Sequence, residues 1–143
     1  MSKYCEVKTE FKNQEALIAA LMETQPSWTR EKIEVHETPQ HLVGYTGDQR
    51  AQTAHLIVRR QHVQDAANDL GFERTAEGAY RAHISNYDRG HDGKGAFGDA
   101  WVQRLKQNYA FHAIRLQMER LGRTVSRERL PNGRQRLTVR GYR

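Results

Sequence analysis

Cysteine, proline and long apolar runs are all scarce in this 143-residue chain. Cys5 is the single cysteine, so an internal disulfide framework is excluded and a reducing compartment is the natural setting. The longest uninterrupted apolar stretch, Ala16 to Met22, spans seven residues, far short of the ~18 that read as a membrane-crossing helix. Met1-Ser2-Lys3-Tyr4-Cys5-Glu6 contains nothing like the apolar core of a secretory signal. These absences predict a cytoplasmic protein without membrane contact. Hydrophobic residues make up 37% of the chain and mean hydropathy is −0.89. The apolar positions are nevertheless periodic, which separates the chain from disordered compositions. The length predicts a single domain, 1–143, which at this size buries roughly 68–70% of its unfolded surface.

Positive charge is present, and it is concentrated. The net charge is +6, yet residues 120–143 hold eight arginines (Arg120, Arg123, Arg127, Arg129, Arg134, Arg136, Arg140, Arg143) against the one acid Glu128. That segment alone is +7, and residues 1–119 sum to −1. An asymmetry of this kind points to an anionic partner surface, nucleic acid or an acidic protein. The plain alternative is a solvated hairpin that keeps the domain soluble.

Periodicity predicts the elements. Cys5, Val7, Thr9 and Phe11 alternate with Tyr4, Glu6, Lys8 and Glu10 in a half-buried strand. Asn13 is a good N-cap for a helix with Ala16, Leu17, Ala20 and Leu21 on one stripe. Short strands follow at 33–37 and 42–45, separated by the breaker Thr38-Pro39-Gln40, then a more buried strand at 54–58 and a short helix within 61–69. A hairpin beginning at Asp69-Leu70-Gly71-Phe72 turns at Glu77-Gly78 and returns over 79–85. The longest periodic segment, 97–121, places Phe97, Trp101, Leu105, Tyr109, His112 and Leu116 on one wide stripe and Ala110, Ile114, Met118 and Leu121 on a second. Trp101, Leu105 and Leu116 are expected to bury against the sheet. Gly122 closes this helix. A terminal hairpin then turns through Leu130-Pro131-Asn132-Gly133, a type I turn with a left-handed Gly, in a register that pairs Val125 with Val139 and Glu128 with Arg136. Arg134, Arg136, Thr138 and Arg140 then share its solvent face. The order β-α-β-β-β-(β-β)-α-β-β predicts an α+β fold, a mainly antiparallel sheet with two principal helices packed on it.

Motifs for catalysis and cofactors are thin. Gly93-Lys94-Gly95-Ala96-Phe97-Gly98 fits G-x-G-x-x-G, but no β-α-β crossover surrounds it, and loop flexibility accounts for it better than a phosphate cradle. As a calcium loop, Asp88 to Asp99 lacks a ligand at position three and a hydrophobic residue at position eight. The seven histidines show no metal-ligand spacing and no cysteine pair accompanies them, so no metal or other cofactor is predicted. Cys5 reads as a buried structural thiol. No nucleophile–base or paired-carboxylate signature is present.

With these segments in place, the chain resembles the family known as domain of unknown function 1257, or hypothetical chloroplast open reading frame 35, found in cyanobacteria, plastids, other bacteria and some phages. The likeness rests on Val7-Lys8-Thr9, Glu15-Ala16-Leu17 with Ala20-Leu21, Gly44-Tyr45-Thr46-Gly47, Leu70-Gly71-Phe72 and Gly78-Ala79-Tyr80. Its most specific part is a Q-x-Y-A-x-H pattern, here Gln107, Tyr109, Ala110 and His112, and it closes with Gly122, Asn132-Gly133 and Arg136 to Arg140. Against that pattern the chain carries extra residues at 59–69 and a glycine loop at 88–95 in place of a Trp-containing stretch. The resemblance implies the fold and a candidate family site at Gln107, Tyr109 and His112, with packing the favoured role for Tyr109 and His112; it implies no activity. Three function classes follow. The first is a non-enzymatic module binding nucleic acid, or an acidic protein, through Arg127, Arg129, Arg134, Arg136 and Arg140. The second is an adaptor or self-associating subunit using Ala110, Ile114, Met118 and Leu121. The third, an enzyme using Tyr109 and His112, ranks last.

Overall fold

The structure, a computed structural model, describes residues 2–141. Arg143, Tyr142 and Met1 lie outside the described residues, so one of the eight arginines and the one aromatic of the basic tail are not placed. Five antiparallel strands form the main sheet in the order β1-β5-β4-β3-β2, built from β1 (Tyr4–Lys8), β2 (Ile33–Val43), β3 (Gln49–Val58), β4 (Leu70–Arg74) and β5 (Tyr80–Ser85). Leu56, Phe72, Ala82 and Val7 stand in register across four strands. With Val58, Leu70 and Ile84 they give the sheet one apolar face.

Helix α1 (Gln14–Thr24) and the long helix α4 (Asp99–Glu119) share that face. The Asn13 side chain caps α1 by accepting from the Ala16 amide at 2.9 Å, and Ala16, Leu17, Ala20 and Leu21 are all fully buried. Helix α4 lies alongside α1. Trp101 and Leu105 are 1% exposed, whereas Leu116, expected in the same buried row, is only half-buried on the C-terminal half of the helix. Trp101 packs edge-on against Trp28 and Phe97, with ring centroids 5.8 and 5.1 Å away, so aromatic geometry fixes the N-terminal half of α4.

The two short strands expected around Thr38-Pro39-Gln40 are one strand, β2, interrupted by register shifts against β3 between Val35 and Gln40 and between His41 and Val43. Pro39 is tolerated because β2 is an edge strand, where a missing N–H breaks no ladder bond. The bulges bend the β2–β3 arm back over the second face of the sheet, where Leu42, Ala54 and Ile57 form a small separate core. Gly71 sits beneath it: a Cβ there would lie 2.6 Å from the Ala54 methyl and 2.9 Å from Leu42, so only glycine allows the arm to lie down. The arm's tip is tied by Asp69, 1% exposed, whose carboxylate accepts from the Val43 and Arg60 amides and from Arg59, each at 2.8 Å. Arg59 also clasps Glu34 through two bonds of 2.9 Å.

Within 61–69, helix is limited to α2 (Arg60–Val63), and the segment ending in Asp69 supplies buried polar anchors. After the short α3 (Asn86–Arg89), the glycine loop folds on itself. The amides of Gly93, Gly95, Gly98 and Asp99 donate to Gly90, Arg89, Gly95 and Gly93 carbonyls, and a Cβ on Gly98 would meet the Gly93 oxygen at 2.1 Å. These glycines serve close backbone packing rather than loop flexibility.

Candidate nucleic-acid interface

Strands β6 (Thr124–Arg129) and β7 (Gln135–Arg140) form a two-stranded ribbon separate from the main sheet, seated against α4. The helix ends as the glycine signal implied. Gly122 takes φ 71°, the Arg123 amide donates to Met118 and the Gly122 amide to Glu119, which turns the chain straight into β6. Pairing follows the expected register, Val125 with Val139 and Glu128 with Arg136, and the turn closes with the Gly133 amide on the Leu130 carbonyl and Gly133 at φ 86°.

Alternation along this ribbon divides the arginines between two faces. Arg134, Arg136 and Arg140 point outward with Thr124, Ser126 and Thr138, and all six are exposed. The one acid on that face, Glu128, meets Arg136 at 3.2 Å with both side chains 62% exposed, a geometry that holds a cation only weakly. Arg134 and Arg140 make no ion pair among the described residues.

Arg127 and Arg129 are on the other face, turned onto α4. Arg127 donates to Glu23 at 2.8 Å and to Asn108 at 2.9 Å, with its guanidinium 3.9 Å above the Phe111 ring. Arg129 donates to Gln107 and Asn108, each at 2.9 Å. The five arginines grouped by sequence are therefore two sets: two bonded onto α4, of which Arg127 is largely covered and Arg129 keeps 52% of its side chain exposed, and three on the outward face.

The Q-x-Y-A-x-H residues act as fasteners at separate points. The Gln107 side-chain amide donates to the Gly133 carbonyl and the Gln107 backbone carbonyl accepts from the Gln135 side chain, both at 2.7 Å. The Tyr109 hydroxyl accepts from the Lys12 and Asn13 amides at 2.9 Å each, and its ring lies 4.5 Å from that of Phe11, so it secures the start of α1. His112 meets Glu23 at 2.8 Å through Nε2, while Nδ1 accepts from Arg115 at 3.2 Å. An arginine can only donate, so Nδ1 is unprotonated and Nε2 carries the hydrogen given to Glu23. Burial lowers the His112 pKa below its ordinary value, and the Glu23 hydrogen bond opposes this without overcoming it. For Glu23 burial acts upward, but the hydrogen bonds from His112 and Arg127 prevail and hold the carboxyl below its usual range.

Two members of this cluster, Glu23 and Asn108, escaped the sequence reading. Asn108 is 4% exposed, and its amide also donates to Thr24 at 2.8 Å. Its signal was available: it falls between Leu105 and His112 on the buried stripe, where a polar residue needs a partner. The second apolar stripe is less free than its pattern suggests. Ala110, Ile114 and Met118 are half-buried, and exposure concentrates at Leu121, at 62%, and across the chain's turn at Val139, at 42%.

Residues 29–138 match the family described as protein of unknown function (DUF1257). The chain belongs to the DUF1257 family. The matched range takes in β2 to β5, α4 with its Q-x-Y-A-x-H residues and nearly the whole ribbon, and leaves β1 and α1 outside it. Neither the curated proteins nor the solved structures contain a match. Among the described residues no group of three or more His, Cys, Asp or Glu is placed to hold a metal ion, and no helix is long and apolar enough to cross a membrane.

Proposed function

We propose that this DUF1257 protein is a non-enzymatic nucleic-acid-binding module whose contact surface is the outward face of the β6–β7 ribbon. The observation that carries this reading is the division of labour among the arginines. Arg127 is tied to α1 and α4 and Arg129 to α4, while the opposite face carries Arg134, Arg136 and Arg140 interspersed with Thr124, Ser126 and Thr138. A two-stranded ribbon is narrow enough to enter a duplex major groove, and arginine with threonine or serine is the donor set that phosphates favour. No aromatic stands on that face among the described residues, so backbone contact outweighs base stacking.

Titrating labelled single- and double-stranded DNA and RNA at low salt tests the reading. Binding that varies little with sequence and weakens for Arg136→Ala plus Arg140→Ala supports it. An absence of binding at about 100 μM protein, the weak end of ordinary non-specific affinity, removes it. The second reading, self-association or adaptor docking, draws on the exposure of Leu121 and Val139 at the open end of the ribbon. Leu121→Asp would then abolish a concentration-dependent dimer seen by sedimentation while leaving nucleic-acid binding intact.

A further inference from the structure

We propose that the cavity between the tip of the β2–β3 arm and α3 is a binding site for a small ligand of the nucleotide class, carrying a flat heteroaromatic ring and an anionic group. The cavity has a volume of about 530 Å³ and is lined by Ser2, Tyr45, Ala66, Asn86, Tyr87 and His91. Small-molecule sites typically run ~300–1,000 Å³ with a few polar groups among aromatic walls. Among the described residues, two of the five exposed large hydrophobic side chains are the Tyr45 and Tyr87 rings, at 40% and 53%. Their concentration at one concave place is what needs a physical account.

Backbone and side chains at this site are held in opposite ways. The Tyr45 amide donates to the wholly buried Asn68 at 2.9 Å, and the Tyr45 carbonyl accepts from Arg60 at 3.0 Å. Asn86 exchanges bonds of 2.6 and 2.9 Å with the Lys3 backbone. Asp88, 1% exposed, anchors α3 through Ser85 at 2.8 Å and Gln64 at 2.7 Å. The backbone at both tyrosines is thus fixed. Among the described residues the Tyr45 hydroxyl, the Asn86 amide nitrogen and the His91 ring make no hydrogen bond. Ala66 on the wall adopts φ 57°, a left-handed conformation that a non-glycine residue takes only where its surroundings impose it.

Aromatic walls on a fixed frame favour a ring that can stack, and unpartnered amide, imidazole and phenol groups suit the polar edge of a heterocycle. Charge beside the site is mixed: Asp65 and Asp92 adjoin Ala66 and His91 in the chain, while Arg60, bonded to the Tyr45 carbonyl and without a carboxylate partner among the described residues, is the cation available to an anionic group. This site shares no residue with the ribbon, so it stands whether or not the ribbon binds nucleic acid.

Adenosine 5′-monophosphate is the probe, titrated into the full chain and followed by amide NMR. Backbone resonances of Tyr45, Ala66, Tyr87 and His91 should shift, with a Kd below about 1 mM, and adenine protons should show NOEs to the tyrosine rings. Adenosine should bind several-fold more weakly, and ribose 5-phosphate at least about tenfold more weakly. Tyr45→Ala and Tyr87→Ala, both at exposed rings, should each lower affinity about tenfold without changing the melting temperature. Shifts confined to the ribbon arginines, ribose 5-phosphate matching the nucleotide, unaltered binding by both variants, or no shift at all would each overturn the assignment.

Discussion

At the scale of single residues, arginines close together in sequence do different work because strand alternation aims them differently. Arg127 neutralises Glu23, completes the hydrogen bonding of buried Asn108 and covers Phe111. Replacing it by Ala leaves a partly buried carboxylate short of a donor, and hydrogen bonds to charged groups contribute ~1.5–3 kcal/mol. Arg127→Ala should therefore cost about 2 kcal/mol in chemical denaturation. Arg136→Ala, which removes only an exposed pair with Glu128, should stay within about 0.5 kcal/mol. Equal losses for the two variants would mean that both faces of the ribbon are structural. The Tyr109 hydroxyl and the His112 ring belong with Arg127: each holds two groups in place, which gives the motif a mechanical meaning.

At the scale of elements, the first half of α4 is the most deeply packed helix surface outside α1. Leu105→Ala should destabilise by ~2–5 kcal/mol through lost burial and the cavity left behind, measured by denaturant unfolding. A loss near that of a surface substitution would place this stripe on the outside. Sequence alone made α1, α4 and the terminal ribbon legible, because each is governed by local rules: a capping Asn13, a 3.6-residue apolar stripe, a Pro-Asn-Gly turn and a left-handed Gly122. What it left illegible is non-local. Pro39 looks like a break until β2 is known to be an edge strand, and the arm's bend depends on Gly71 yielding space to Leu42 and Ala54. Likewise, period-2 alternation revealed that Arg134, Arg136 and Arg140 share a face, but not that α4 would cover the opposite one. Only the packing of ribbon on helix reveals that Arg127 and Arg129 hold the ribbon to α4. Tyr45 and Tyr87 lie 42 positions apart in the chain, and no local pattern links them.

At the scale of the whole molecule, α1, α4 and the ribbon meet in one ionisable cluster, so global stability should respond to acid. His112 has its pKa lowered by burial, so below about 6.5 the unfolded chain binds the proton more readily than the folded one. Stability is then fully present above that pH and falls as pH drops toward the folded pKa. Glu23, also lowered, adds a loss of the same sign below its ordinary value of 4.5. Melting temperature should decline between pH 7 and 5, and His112→Gln should flatten part of that decline. His55, lowered chiefly by burial as well, and the lowered carboxylates Glu34 and Glu73 add to the decline. A decline unchanged by His112→Gln would separate this histidine from the cluster's energetics. The central claim is that the outward ribbon face binds a polyanion while the inward face only holds the ribbon. Its most direct test is the salt dependence of duplex DNA affinity for the native chain and for Arg134→Ala/Arg136→Ala/Arg140→Ala. Three phosphate contacts give a log–log slope of about −2.7 from the ~0.9 per phosphate rule. The account predicts that slope for the native chain and a triple variant that melts normally but binds weakly with a slope near zero. A triple variant with native affinity and native slope would contradict it.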